Sequence, residues 1–247
     1  MLVVSSCGKW SLRLLAMQGQ GVNIRKIDLL ISDIGGVLIK TDEAIIGCIV
    51  RAVRELGIPD GSVDAIYSAF GVSLKDYVRA YLPDRFKDRT DECYNQFKKI
   101  YPSEAMHLLK AFEGVDETLV SLKGQGYRLG VISCMTREEV DANLSLLAFK
   151  DFDATFSIED YGENHRRPDP KGLLMLIERL GGVAERSIYV GDTDSDVMMA
   201  KNAGVVSVGV QTGAQPRVML LRSEPDYVVN SFCDVPAEVL AKCGKYD

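Results

Sequence analysis

Past residue 113, short apolar runs alternate with segments of helical spacing, and that alternation permits few folds. The strand-like runs are Tyr127-Arg128-Leu129-Gly130-Val131-Ile132-Ser133, Ala154-Thr155-Phe156-Ser157, Ser187-Ile188-Tyr189-Val190-Gly191-Asp192 and Val205-Val206-Ser207-Val208-Gly209-Val210, with Tyr227-Val228-Val229 as an added edge. Helical spacing runs from Val115 to Lys123, Arg137 to Leu147, Pro170 to Leu180 and Asp196 to Asn202. Strand and helix in turn build an α/β fold with a doubly wound parallel sheet.

The first strand lies earlier, in Leu29-Leu30-Ile31-Ser32-Asp33-Ile34-Gly35-Gly36-Val37-Leu38. An apolar run that ends in one Asp and two glycines delivers a carboxylate to the lip of a sheet. Between Leu38 and Tyr127 no strand is expected. Ile45, Ile46, Ile49, Val50, Val53 and Leu56 keep helical spacing up to Gly57, which ends the helix. Val63 to Phe70, Leu74 to Leu82, Arg89 to Ile100 and Glu104 to Phe112 also read as helices. The expected plan is an extension over 1–24, a core over 25–40 and 113–247, and a helical cap over 41–112. An insert there can close over the strand ends, where open α/β sheets bind ligands.

Composition narrows the function. A net charge of −6 argues against a nucleic-acid binder, which carries a basic face. No apolar run is long enough to span a bilayer, and Lys9 and Arg13 interrupt the signal-peptide pattern of residues 1–24. That segment reads as an extension docked through Trp10 or without order, with Met17 as an alternative start. A cytoplasmic protein, monomeric or homodimeric, is expected. The six cysteines, Cys7, Cys48, Cys93, Cys134, Cys233 and Cys243, show no zinc spacing and read as small buried hydrophobes.

The chemistry concentrates in carboxylates. Gly191-Asp192-Thr193-Asp194-Ser195-Asp196 follows an apolar strand and opens a helix, so Asp192 belongs at a strand tip and Asp196 a turn further on. With Asp33 this gathers three carboxylates at one sheet edge, and such a cluster repels itself unless a cation sits in it. Hard oxygen ligands suit Mg²⁺. The competing explanation is helix capping, which a single Asp satisfies but two strand-end Asp residues do not.

In this order the motifs resemble the haloacid dehalogenase superfamily, specifically its phosphoglycolate phosphatase-like members with a helical cap, over nearly everything after Lys26. The resemblance implies a Rossmann-like core, with Asp33 as the nucleophile that forms an aspartyl-phosphate. It implies Ser133, with Cys134 beside it, as phosphate contacts, and Arg167 of Arg167-Pro168-Asp169-Pro170 as the third motif's cation. It implies Asp33, the Gly35 carbonyl, Asp192 and Asp196 around Mg²⁺. Gly114-Val115 resembles the return from such a cap. Arg166 competes for the third-motif register, but Arg167 is favoured. A guanidinium is always charged and holds two oxygens at once. Backbone N–H groups of Ile34 and Gly35 can add phosphate donors.

One departure matters. The first motif's second Asp is Gly35 here, which keeps a metal-binding carbonyl and loses the acid–base carboxyl. That group typically contributes ~10²–10⁴ in rate. Asp42, Asp194 and cap residues are candidate stand-ins. The expected activity is a Mg²⁺-dependent phosphatase acting on a small phosphorylated metabolite. Two alternatives stand beside it. One is a C–P hydrolase resembling phosphonoacetaldehyde hydrolase, with Lys75 of Gly71-Val72-Ser73-Leu74-Lys75 as the Schiff-base lysine. The other is a non-catalytic phosphate-binding protein. His107 and His165 read as neither ligands nor partnered groups. Tyr67, Phe70, Tyr77 and Tyr81 read as cap core, and Met198 and Met199 as packing between helix and sheet.

Overall fold

The computed structural model of this chain describes residues 27–69, 73–213 and 215–243. The extension, with Cys7, Trp10 and Met17, and Phe70 of the cap lie outside the described residues. In chain order the main elements begin with β1 (Leu29–Ser32), β2 (Ile39–Lys40), α1 (Asp42–Glu55), α2 (Val63–Ala69), α3 (Leu74–Tyr81), α4 (Thr90–Glu104) and β3 (Lys110–Ala111). There follow α5 (Val115–Gly124), β4 (Arg128–Ile132), α6 (Arg137–Ser145), β5 (Ala154–Phe156), α7 (Ile158–Tyr161) and α8 (Lys171–Arg179). The chain continues with β6 (Ser187–Gly191), α9 (Asp194–Asn202), β7 (Val206–Val210), α10 (Arg217–Arg222) and β8 (Tyr227–Val229).

Six strands form one sheet in the order β5-β4-β1-β6-β7-β8, and every pairing in it is parallel. The chain winds outward from β1 through β4 and β5, then returns to β6 on the other side. The winding therefore reverses beside β1, which is where α/β sheets open a crevice at their carboxyl ends. Each face of the sheet has its own apolar layer. Leu30 packs in a cluster with Val115, Leu119 and Leu122 of α5. Leu29 and Ile31 point the other way, into a cluster with Leu173, Leu176 and Ile177 of α8. Successive strand residues alternate in this way because side chains leave a strand on opposite faces. Each fully buried aliphatic side chain contributes roughly 1.5–3 kcal/mol relative to exposure.

The segment between β1 and α5 is helical, as its spacing predicts. Ala44, Ile45, Cys48, Ile49, Ala52 and Val53 form the buried face of α1. Gly57 adopts φ +69° just past it, the left-handed conformation that stops a helix. These α1 residues belong to the same apolar cluster as Leu30 and Leu119, so the helical segment and one sheet face share a continuous core.

Two expectations for this segment are corrected. Glu104 to Phe112 is not a helix: after a tight turn at Ala105–His107 the chain enters β3. There is also a strand pairing between Leu38 and Tyr127. β2 and β3 run antiparallel, with Ile39 opposite Ala111 and Lys40 opposite Lys110. The Phe112 N–H donates to the Leu38 carbonyl at 3.0 Å, so the two ends of the helical segment are joined side by side. Two-residue strands carry no periodicity to read. A third expectation is half right: Met199 is buried, but Met198, its neighbour on α9, faces solvent.

Candidate active site

Asp33 follows β1, Ser133 follows β4 and Asp192 follows β6, so adjacent parallel strands deliver all three to one edge. The Asp33 N–H donates to Val190 O at 3.0 Å, and the Ser133 N–H to Phe156 O at 3.0 Å, so strand pairing fixes both Cα positions. Asp196 enters from the first turn of α9. Its carboxylate accepts from the Thr193 N–H (3.0 Å) and hydroxyl (2.6 Å), which closes the cap of that helix.

Ligand atoms of Asp33, Asp192 and Asp196 lie within 4.8 Å of one another, and all three residues are buried. Arg167 reaches the cluster from the loop before α8. Its Nη1 donates to Asp33 Oδ2 at 2.7 Å and Asp196 Oδ1 at 2.6 Å, and its Nη2 donates to Ile132 O at 3.2 Å. Arg166 turns away to Glu163, so Arg167 is the guanidinium at this edge. Burial works against the Arg167 charge, yet Asp196 and Asp33 offset it and hold its pKa well above the usual value.

Burial pushes the Asp192 carboxyl well above the ordinary carboxylate range, and the charges of Asp196 and Asp33 push the same way. For Asp196 burial again raises the carboxyl, while Arg167, Thr193 and Tyr189 pull it down. One guanidinium faces three carboxylates, which leaves negative charge uncompensated in a buried site. Asp33 Oδ1 is buried and has no hydrogen-bond partner. An orphaned carboxylate oxygen beside a second, crowded carboxylate is what a divalent cation would satisfy, and oxygen-only donors favour Mg²⁺.

The three carboxylates of this triad are engaged differently. Both oxygens of Asp196 are engaged, Oδ1 by the Tyr189 hydroxyl (2.8 Å) and Arg167, Oδ2 by Thr193. Asp196 is fully buried beneath the cleft and orients Arg167. Asp33 and Asp192 are the carboxylates on the cleft wall, beside Gly35.

The wall of this cleft is Asp33, Gly35, Gly36, Ser133, Cys134, Arg167, Asp192, Thr193, Thr212 and Gly213 from the sheet edge, and Thr41, Asp42, Ile45, Ser73, Leu74, Tyr77, Phe112 and Met135 opposite. The space between the two sides, open solvent included, is about 730 Å³. The Ile34 side chain packs in the core and its carbonyl accepts from the N–H groups of Leu38 and Ile39, so only its backbone N–H is left to meet a phosphate. Gly36, at φ +70°, has no room for a side chain, since a Cβ would lie 2.3 Å from Asp192 Oδ2. Its carbonyl accepts from the Thr212 hydroxyl at 2.6 Å.

Several other readings change. Lys75 is half exposed, pairs with Asp91 and is absent from the cleft wall, so the lysine needed for a Schiff-base C–P hydrolase is misplaced. Asp194 exchanges hydrogen bonds with Gln215 and does not reach the cleft, while Asp42 does. Tyr77 is buried cap core and also lines the cleft. His165 does have partners, Asp169 on Nδ1 and Lys171 on Nε2, each at 2.8 Å.

Sequence reading missed Tyr189, Thr41, Thr212 and Gly213. Tyr189 is hidden because it sits inside an apolar strand. Thr212-Gly213 had a usable signal: a polar pair just past the strand Val206–Val210, at the edge that already held Asp33 and Asp192.

Comparison with known proteins bears on the family and the fold. Residues 30–210 match the family described as haloacid dehalogenase-like hydrolase. The probable phosphatase IndB of Dickeya dadantii is 30% identical over 211 residues, covering 84% of this chain and 91% of that protein. The pyrophosphatase PpaX of Bacillus mycoides is 29% identical over 211 residues, covering 85% and 95%. Among solved structures, a putative haloacid dehalogenase-like hydrolase from Bacteroides fragilis superposes with a TM-score of 0.75 at 25% identity, covering 85% of this chain and all of that one. A predicted phosphoglycolate phosphatase from Haemophilus somnus shares the fold, with a TM-score of 0.75 at 22% identity, covering 85% and 96%.

Proposed function

The chain belongs to the haloacid dehalogenase-like hydrolases, and on that footing we propose that it is a Mg²⁺-dependent phosphatase of small phosphomonoesters, working through an aspartyl-phosphate on Asp33. The observation that carries the reading is the buried edge where Asp33 meets Arg167 and Asp192, with Asp33 Oδ1 left without a partner. Relatives named as a phosphatase and a pyrophosphatase point to the same bond class.

Asp33, Asp192 and the Gly35 carbonyl would hold the cation. When bound, it supplies positive charge to the phosphoryl oxygens. The chain's own residues do the rest. Arg167 fixes the Asp33 carboxylate and places positive charge at the phosphoryl group. The Ser133 hydroxyl donates to a phosphoryl oxygen. An Asp33 carboxylate oxygen attacks phosphorus, an Asp33–phosphorus bond forms and the bond to the leaving oxygen breaks. Water then attacks phosphorus, which releases inorganic phosphate and regenerates the carboxylate. Gly35 provides no carboxyl to protonate the leaving oxygen, so esters whose leaving group is a weak base are turned over best.

The test is hydrolysis of p-nitrophenyl phosphate with and without Mg²⁺, by the parent and by Asp33→Asn. Turnover should require Mg²⁺ and disappear in the variant. Parent-like turnover by Asp33→Asn rules out the nucleophile.

A further inference from the structure

We infer that this site selects phosphomonoesters with an uncharged, largely apolar leaving group and discriminates against substrates that carry a second anion. The inference rests on the phosphatase reading and names its substrate class.

The cleft has two unlike sides. The sheet edge holds the phosphate-binding groups, and the opposite wall receives whatever the phosphate is attached to. That wall is Ile45, Leu74, Tyr77, Phe112 and Met135, with the hydroxyls of Thr41 and Ser73 and the carboxylate of Asp42. Among the described residues, Arg167 is the one cation on the cleft surface, and both of its terminal nitrogens are engaged. Its Nη1 bridges Asp33 and Asp196, its Nη2 is on Ile132 O, and its side chain is 7% exposed.

A second phosphate or a carboxylate on the substrate would therefore leave water for an apolar wall with no cation among its lining residues. It would also approach Asp42, a like charge on the same cleft wall. A neutral aryl or alkyl group meets the opposite situation. Tyr77, Phe112, Ile45, Leu74 and Met135 offer it apolar surface, and Thr41 offers a hydroxyl, while the Ser73 hydroxyl is held in the cap of α3 by Asp76. Ligand sites are commonly built this way, with mostly apolar walls and a few polar groups that orient. The arrangement separates this chain from what the name of its pyrophosphatase relatives describes, because pyrophosphate presents a second phosphate to that wall.

The experiment compares phenyl phosphate with 3-carboxyphenyl phosphate in Mg²⁺ buffer. The two leaving phenols differ little in acidity and differ by one negative charge, so the missing acid at Gly35 affects both alike. The parent should show a kcat/KM at least about tenfold higher for phenyl phosphate, the size of one substantial polar mismatch. Equal values, or preference for the carboxylated ester, overturn the inference and leave the phosphatase reading intact. No turnover of either ester overturns the inference, and the phosphatase reading falls with it only if p-nitrophenyl phosphate is inert too.

A second arm uses Asp42→Lys, read as the ratio of the two kcat/KM values within one preparation, so that partial misfolding cancels. The ratio should move toward the carboxylated ester by about tenfold or more, since a repulsion becomes an attraction. An unmoved ratio overturns the inference.

Discussion

Replacing Arg167 by Met tests the charge balance of the site most directly. Met keeps the apolar stem and removes the guanidinium. In the parent that group donates to Asp33 at 2.7 Å and Asp196 at 2.6 Å, with the three side chains 7%, 10% and 1% exposed, so water cannot take its place. Removing one member of a buried ion pair costs about 3–5 kcal/mol, because the other charge is left uncompensated. For a chain of this size 1 kcal/mol corresponds to roughly 2–4 °C in Tm, so a fall of about 6–20 °C is expected near pH 7.5 with chelator present. The sign of the pH dependence follows from the carboxyls. Burial already raises Asp192 and Asp196, and losing Arg167 raises Asp196 further. A group whose folded pKa is raised is favourable below its unfolded value of about 3.9 and loses that advantage as pH rises through the folded pKa. The gap between variant and parent should therefore widen from about pH 5 to about pH 7.5. Calorimetry at both pH values, in chelator and again in Mg²⁺, measures it. A variant that melts with the parent at the higher pH refutes the claim that Arg167 compensates buried charge.

Two further outcomes are expected. Gly213→Ala would place a Cβ 1.9 Å from Asp192 Oδ2, so it should cut Mg²⁺-dependent turnover by more than about tenfold, while Gly124→Ala, with nothing within 4 Å, leaves it unchanged. Steady-state kinetics on both variants checks this, and parent-like turnover by Gly213→Ala refutes the placement of Asp192. Gly35→Asp alone brings a Cβ to 2.8 Å from Thr41 Oγ1, so Thr41 must turn. The pair Gly35→Asp with Thr41→Ala should raise turnover of a plain alkyl phosphate by about tenfold or more, toward the general-acid range. No rise would mean that another group already protonates the leaving oxygen.

Much of the site was legible because its residues end strands. An apolar run followed by Asp is visible without any partner, as at Asp33 and Asp192, whereas Ser133 stands out only through the family resemblance. The register of Arg167 was weaker, since Arg166 has the same chemistry and only the fold shows that Arg166 goes to Glu163. The β2–β3 pairing was out of reach: two residues per strand leave no pattern, and each strand is defined by the other, some 70 positions away. Lys75 shows the converse. A lysine in a suggestive stretch looks chemical until its direction is known, and here it points to Asp91.

The sequence by itself determined the alternating α/β plan, the helical insert and the carboxylates at the strand ends, because burial and backbone geometry impose local patterns of residue type. Tertiary structure decided where each carboxylate lies. Asp192 and Asp196 read alike along the chain, yet Asp192 reaches the cleft while Asp196 lies beneath it, held by Tyr189, Thr193 and Arg167. It also decided that Asp42 and an apolar wall from the insert face Asp33. Those relations join residues far apart in sequence, and only the packing of α1 and α3 over the sheet edge brings them together.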